Sequence, residues 1–137
     1  MSASNNDILI LQRNLSSLRK LAHWTAEELG DSIGVTKQTI SNLETGRTKM
    51  SKTQYIAIRT VFDYMAQSNE ELKTALSLVL DNHAASQEEQ EVNETKVRTA
   101  AAALNAGVNN AFLSAIMGAV TLVAAGAWLT NLMKKDQ

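Results

Sequence analysis

The chain has 137 residues, of which 45% are hydrophobic and 4% aromatic, and its formal net charge is −1. This composition suits a folded domain with an appended segment and argues against wholesale disorder. The sequence contains no cysteine and no proline, which excludes disulfides, thiolate metal sites and cysteine nucleophiles and favours uninterrupted helices.

The charges are unevenly spread along the chain. Residues 1–67 contain eight basic and six acidic residues, and residues 68–95 contain one basic and seven acidic residues. Residues 96–137 contain four basic residues and one acidic residue. A polyanion would therefore meet the first segment more readily than the second. Because the polar start MSASNND has neither basic residues nor an apolar run, we expect no secretory signal and a cytoplasmic N-terminal part.

The first predicted helix spans residues 7–22. Asp7 is a candidate N-cap, and Arg13, Arg19 and Lys20 fall off the apolar face, so we expect these three side chains to be solvated. The apolar residues recur at spacings of three and four and form one stripe, namely Ile8, Leu11, Leu15, Leu18 and Leu21.

Two short helices joined by a tight turn follow. Thr25 and Glu28 match a capping box that starts a helix over 26–33, and Gly34 ends it because a left-handed helix terminus favours glycine. A third helix begins after a cap at Thr36 and runs through Glu44. This layout is that of a helix-turn-helix, which lays its second helix in the major groove of DNA.

Two further helices and a polar stretch come next. A fourth helix is predicted from a cap at Ser51 to about Gln67, and a fifth from Ser68 or Asn69 to about Asp81. The polar stretch after them, over 82–91, predicts a linker or a frayed helical connection. The glutamates of this region, Glu88, Glu89, Glu91 and Glu94, are expected to lie in a solvated helix start. We therefore divide the chain into a helix-turn-helix domain over 1–82, an acidic polar linker over 83–95 and an apolar C-terminal helix over 96–137.

Side chains able to read base edges fall in the first turns of the third helix. Lysine suits guanine acceptors or phosphate, glutamine can bond adenine through both ends of its amide, and a threonine methyl can meet the thymine methyl. A helix N-terminus offers backbone N–H groups to a phosphate, and the basic residues after the helix can clamp the DNA backbone. The candidate DNA-binding residues are Thr36, Lys37, Gln38, Thr39, Ser41, Asn42, Arg47, Lys49 and Lys52.

The segment over 25–46 resembles the XRE/Cro/C1-type repressors of bacteria and phages. The resemblance extends over roughly 8–80 and implies an all-α, five-helix, lambda-repressor-like domain that binds a palindromic operator in double-stranded DNA as a symmetric dimer. It also implies that Lys37, Gln38, Thr39 and Asn42 face the bases and that Glu44 has a structural role. The matching residues are Leu29, Gly34, Val35, Thr36, Thr39, Ile40, Ser41, Leu43, Glu44 and Gly46.

The chain departs from the family pattern at three positions. Ala26 stands where a glutamine often touches phosphate, Gly30 stands where alanine is usual, and Met50 stands near a common proline. The first departure removes one phosphate contact. We therefore expect a single copy to bind DNA weakly and useful affinity to come from pairing copies.

The C-terminal segment is apolar. Its most apolar part, residues 112–133, would form about 33 Å of helix, enough to cross a hydrocarbon core of about 30 Å. Trp128 near its end, followed by Lys134 and Lys135, suits a membrane interface. Two alternatives stay open, a single transmembrane helix in a cell membrane or a helix buried in a soluble oligomer.

These features predict a sequence-specific DNA-binding transcriptional regulator, expected to be a repressor, that is dimeric or higher and is membrane-tethered or oligomerised by its C-terminal helix. The alternative is a membrane-anchored adaptor whose helix-turn-helix domain binds a protein such as a cytoskeletal filament. The polar face at Lys37 argues against that adaptor, because protein docking favours exposed apolar or aromatic anchors. His23 and His83 lie far apart and no catalytic triad spacing occurs, so we expect no enzyme, no metal and no cofactor.

Overall fold

In this computed structural model the described residues are 4–105, and within that range they form six helices and no strand. The all-α prediction is confirmed for this part of the chain, and the first five helices begin and end close to the predicted residues. The helices are α1 (Asn5–Leu21), α2 (Ala26–Ile33), α3 (Lys37–Thr45), α4 (Lys52–Ala66), α5 (Glu70–Val79) and α6 (Gln87–Asn105).

Capping side chains fix where these helices begin. The α1 cap is Ser4, and the predicted cap Asp7 is instead its partner in a capping box: the Ser4 hydroxyl accepts from the Asp7 N–H at 3.1 Å, and the Asp7 carboxylate accepts from the Ser4 N–H at 3.2 Å. Thr25 and Glu28 form the predicted box at α2. Each box satisfies two N–H groups that the helix itself leaves without partners.

The core is built around α1, which packs against α3, α4, α5 and α6. The stripe predicted on α1 is the face that is buried. Burying a large apolar side chain contributes roughly 1.5–3 kcal/mol, so the core outweighs any single polar contact. The largest fully buried side chains are Phe62, Leu11, Leu15, Leu18, Leu21, Leu29, Ile40, Leu43, Met50, Ile58 and Leu72.

The structure differs from the sequence-based expectation over residues 83–95. From Gln87 onward this segment is not a linker but the first half of α6, which packs along α1 and α5. The side chains of Val97 and Ala101 are buried in the same core. Glu94, expected to be solvated, is only 3% exposed, because a buried polar network holds it against α1.

That network joins Glu94 to Arg13, Asn14 and Gln90. Arg13 donates to both carboxylate oxygens of Glu94, at 2.6 and 2.8 Å, and the amides of Asn14 and Gln90 donate at 3.1 and 2.9 Å. Burial by itself opposes the charge, but these donors outweigh it and hold the pKa of Glu94 below its ordinary value of 4.5. Arg13, expected to be solvated, is therefore an ion-pair partner that remains half exposed.

The apolar C-terminal helix predicted over 96–137 falls within the described range only over 96–105, in the second half of α6 as described. The apolar stretch over 112–133 lies outside the described residues. Among residues 4–105, no helix has both the length and the apolar character needed to cross a membrane.

Candidate nucleic-acid interface

The turn between α2 and α3 depends on two glycines. Gly34 ends α2 with φ at 81°, a left-handed conformation that glycine adopts without steric cost. At Gly30 the turn approaches so closely that a Cβ would lie 2.6 Å from the carbonyl oxygen of Val35. The Val35 N–H also donates to the Gly30 carbonyl at 2.9 Å, so the turn is bonded directly onto α2.

The first turn of α3 is fixed by its cap. The Thr36 hydroxyl accepts from the Thr39 N–H at 3.1 Å and lies 3.0 Å from the Thr39 hydroxyl. Thr36 is exposed and Thr39 is half-buried. Both hydroxyls are therefore engaged in capping, while Lys37, the first residue of the helix, is exposed beside them.

An amide pair lies one turn further along α3. Gln38 donates from Nε2 to Oδ1 of Asn42 at 2.9 Å. This bond leaves Gln38 with Oε1 and one N–H, and Asn42 with both N–H groups, for an outside partner. An adenine edge needs one acceptor and one donor, which Gln38 still offers with its amide already oriented. Ser41 is half-buried in the same stretch.

Basic residues follow α3 directly, in and just after the connector, which we define as residues 47–50. Gly46 ends α3 with φ at 77°, and the N–H of Arg47 then donates to the carbonyl of Asn42 at 2.9 Å. Arg47 and Lys49 are exposed on the connector, and Lys52 is exposed as the first residue of α4. The structure thus brings three cationic side chains to the stretch that leaves the C-terminus of α3.

Gln12 of α1 holds the connector, a role that the sequence analysis did not predict. Its Nε2 donates to the carbonyls of Leu43 and Thr48 at 3.0 and 2.7 Å, and its Oε1 accepts from the Met50 N–H at 2.9 Å. These partners lie 31 to 38 residues away in sequence, so no local pattern marks the glutamine. In the sequence, Gln12 is distinguished only as a polar residue next to the apolar stripe of α1.

A nearly buried ion pair fastens α3 to α1. Arg19 donates from Nε and Nη2 to the two carboxylate oxygens of Glu44, at 2.6 and 3.1 Å, and from Nη1 to the carbonyl of Trp24 at 2.8 Å. The side chains of Arg19 and Glu44 are 15% and 13% exposed. The prediction that Arg19 is solvated is therefore wrong, and the pair gives Glu44 the structural role that the resemblance implies.

Comparison with known proteins adds one finding. Residues 15–64 match the helix-turn-helix family. The matched range begins within α1, ends within α4, and contains α2, the turn, α3 and the connector. No curated protein and no solved structure matches the chain.

Proposed function

Because residues 15–64 belong to the XRE/Cro/C1-type helix-turn-helix family, whose members are DNA-binding transcriptional regulators, we propose that this protein reads a specific duplex DNA site through α3. The observation that carries the proposal is the hydrogen-bonded amide pair of the exposed Gln38 and the half-buried Asn42, on a helix that the Arg19–Glu44 ion pair holds in place. We propose that the regulator is a repressor, in line with the resemblance, and that it acts in the cytoplasm, where its DNA is.

Each candidate residue takes a role that its position supports. Gln38 and Asn42 read base edges, and Lys37 binds a guanine edge or a phosphate. Thr36 presents the N-terminus of α3 to a phosphate. Thr39 and Ser41 contact the DNA within the major groove. The cationic side chains after α3, namely Arg47, Lys49 and Lys52, bind the phosphate backbone and set the register.

The test is to select binding sites for the full chain from random duplex DNA and then to compare variants on the selected site. Gln38→Ala should relax the preference at one base pair, by about 1–3 kcal/mol of discrimination, while the salt dependence of binding persists. Gln87→Ala is the matched control, since Gln87 is an exposed glutamine at the start of α6. An unchanged base preference in Gln38→Ala would contradict the role given to Gln38.

We further propose that two copies pair through an exposed face of α4. Ile56 and Tyr64 lie two turns apart on this face, 47% and 74% exposed, with the exposed Thr60 between them. A two-fold contact is self-complementary, and antiparallel pairing about Thr60 sets Ile56 of one copy against Tyr64 of the other. Pairing would also raise the affinity of a domain that lacks a glutamine at Ala26.

The change Tyr64→Glu tests this pairing. A charge at position 64, set against Ile56 of the other copy, should convert a dimer to a monomer in sedimentation velocity and weaken binding to a palindromic site. The second candidate function, a protein-binding adaptor, is favoured by the same exposed tyrosine, because aromatic residues anchor protein contacts. If Tyr64→Glu changes neither the oligomeric state nor the DNA affinity, pairing through α4 is wrong and the adaptor becomes the better account of this face.

The role of the apolar stretch over 112–133 is a proposal from sequence, either a membrane tether or an oligomerisation helix. Fractionation of expressing cells separates the two. A full chain that pellets with membranes and needs detergent for release supports the tether, whereas a chain in the soluble fraction as a large oligomer supports the second role. Truncation near residue 105 should then lower the oligomer number only in the second case.

A further inference from the structure

We propose that Gln12 is the positioning residue of the DNA interface: it holds the connector so that Arg47 and Lys49 face the phosphate backbone of duplex DNA. The inference rests on the proposed function, because its ligand is the same DNA. It adds a residue on α1, outside the helix-turn-helix itself, that acts on the ligand through other residues rather than by touching it.

The amide of Gln12 is fully used by backbone groups. Both N–H groups donate, to the carbonyls of Leu43 and Thr48, and the oxygen accepts from the N–H of Met50. These three groups lie at the end of α3 and at both sides of Lys49. One planar side chain therefore sets the separation and direction of the backbone on which the two cationic residues stand.

The connector needs this support. The Leu43 carbonyl, in the last turn of α3, accepts locally from the Gly46 N–H at 3.3 Å, and Thr48 and Met50 lie in irregular backbone. The Met50 side chain is 2% exposed and anchors one end of the connector in the core. Gln12 fixes the remaining freedom, so that Arg47 and Lys49, both exposed, leave the domain in set directions.

A purely stabilising role would show in unfolding measurements alone, so the test reads phosphate contacts instead. The full chain is titrated with a mixed-sequence duplex of about two helical turns, and the slope of log affinity against log salt is measured. Gln12→Met keeps the length of the side chain but removes all three bonds. The slope should become shallower by about one to two, since each lost phosphate contact changes it by about 0.9.

A control variant separates positioning from stability. Val79→Ala removes core contacts on α5 without touching the connector, and at a temperature where it is folded it should keep the wild-type slope. Gln12→Glu keeps the acceptor for Met50 but sets a carboxylate oxygen against two carbonyls. Gln12→Glu should show the same shallower salt slope as Gln12→Met, and it replaces Gln12→Met in the test if that variant does not fold.

A double-mutant cycle gives a second readout. Replacing Arg47 and Lys49 together by alanine should weaken binding strongly in the wild-type background and by a smaller factor in the Gln12→Met background. In the DNA-free protein, the Met50 amide should exchange hydrogen faster in Gln12→Met than in wild type, because its acceptor is gone.

Two results overturn the inference while leaving the proposed function intact. These are a wild-type salt slope in both Gln12 variants, and equal effects of the double alanine change in both backgrounds. A wild-type protein without any salt-dependent DNA affinity overturns the proposed function instead. The inference is supported if the salt slope becomes shallower only in the Gln12 variants and the double alanine change at Arg47 and Lys49 has a smaller effect in the Gln12→Met background.

Discussion

The ion pair between Arg19 and Glu44 gives the sharpest stability prediction. Arg19→Met removes two charge-assisted bonds to Glu44 and one bond to the Trp24 carbonyl, and it leaves a carboxylate that is only 13% exposed without its partner. Breaking a buried pair in this way costs 3–5 kcal/mol in other proteins, and the residual exposure of both groups favours the lower end, so we expect about 3 kcal/mol. That loss is a large part of a typical folding free energy of about 5–15 kcal/mol.

The double variant Arg19→Met, Glu44→Leu should be more stable than Arg19→Met alone. Both charges are then gone, and the remaining cost is the unbonded Trp24 carbonyl, about 1 kcal/mol. Urea unfolding followed by circular dichroism measures each free energy, and the cycle should give a coupling of about 2 kcal/mol or more. Lys20→Met, which removes a neighbouring positive charge, should change stability by less than about 0.5 kcal/mol.

Additive effects of the two changes would refute this reasoning. A coupling below about 0.5 kcal/mol would mean that Glu44 is solvated well enough to need no partner. The position of α3 would then depend on apolar packing alone, and the DNA-reading face would not be held by the pair.

Two more outcomes follow from the contacts. Gly30→Ala should destabilise the domain by about 1–2 kcal/mol in thermal unfolding, because the strain of a Cβ 2.6 Å from the Val35 carbonyl exceeds the helix-propensity gain of about 1 kcal/mol; greater stability would show that the turn yields freely. The depressed pKa of Glu94 means that its stabilising contribution is present above pH 4.5 and is lost as the pH falls through its folded pKa, so wild type and Glu94→Gln should converge in stability as the solution is acidified. A stability gap that does not narrow in acid would contradict the charged state assigned to Glu94.

Local signals in the sequence predicted most of the fold. Caps and helix ends such as Thr25, Thr36 and Gly34 depend on neighbours within four residues, and these elements begin and end close to where the pattern indicates. The prediction that Asp7 caps α1 is wrong. Ser4 is the cap and Asp7 is its partner in the capping box, and the sequence did not separate them because both residue types can cap a helix.

The long-range polar contacts could not be predicted in the same way. Arg19, Gln12 and Glu94 each look like a solvated polar residue beside an apolar stripe. The partners that tie them to other parts of the fold lie 25, 31 to 38, and 80 to 81 residues away, where spacing rules carry no information. The candidate DNA-binding residues were placed on the right elements by local pattern, and their roles toward DNA stay predictions.

The salt dependence of DNA binding by the full chain shows whether α3 and the connector bind duplex DNA. Fluorescence anisotropy with a labelled duplex between about 50 and 200 mM salt gives the association constant at each concentration. We expect log affinity to fall linearly with log salt. The slope should be about −3 to −4 if one domain places four cationic side chains on phosphates, namely Lys37, Arg47, Lys49 and Lys52. No measurable DNA affinity, or an affinity that does not change with salt, would contradict it.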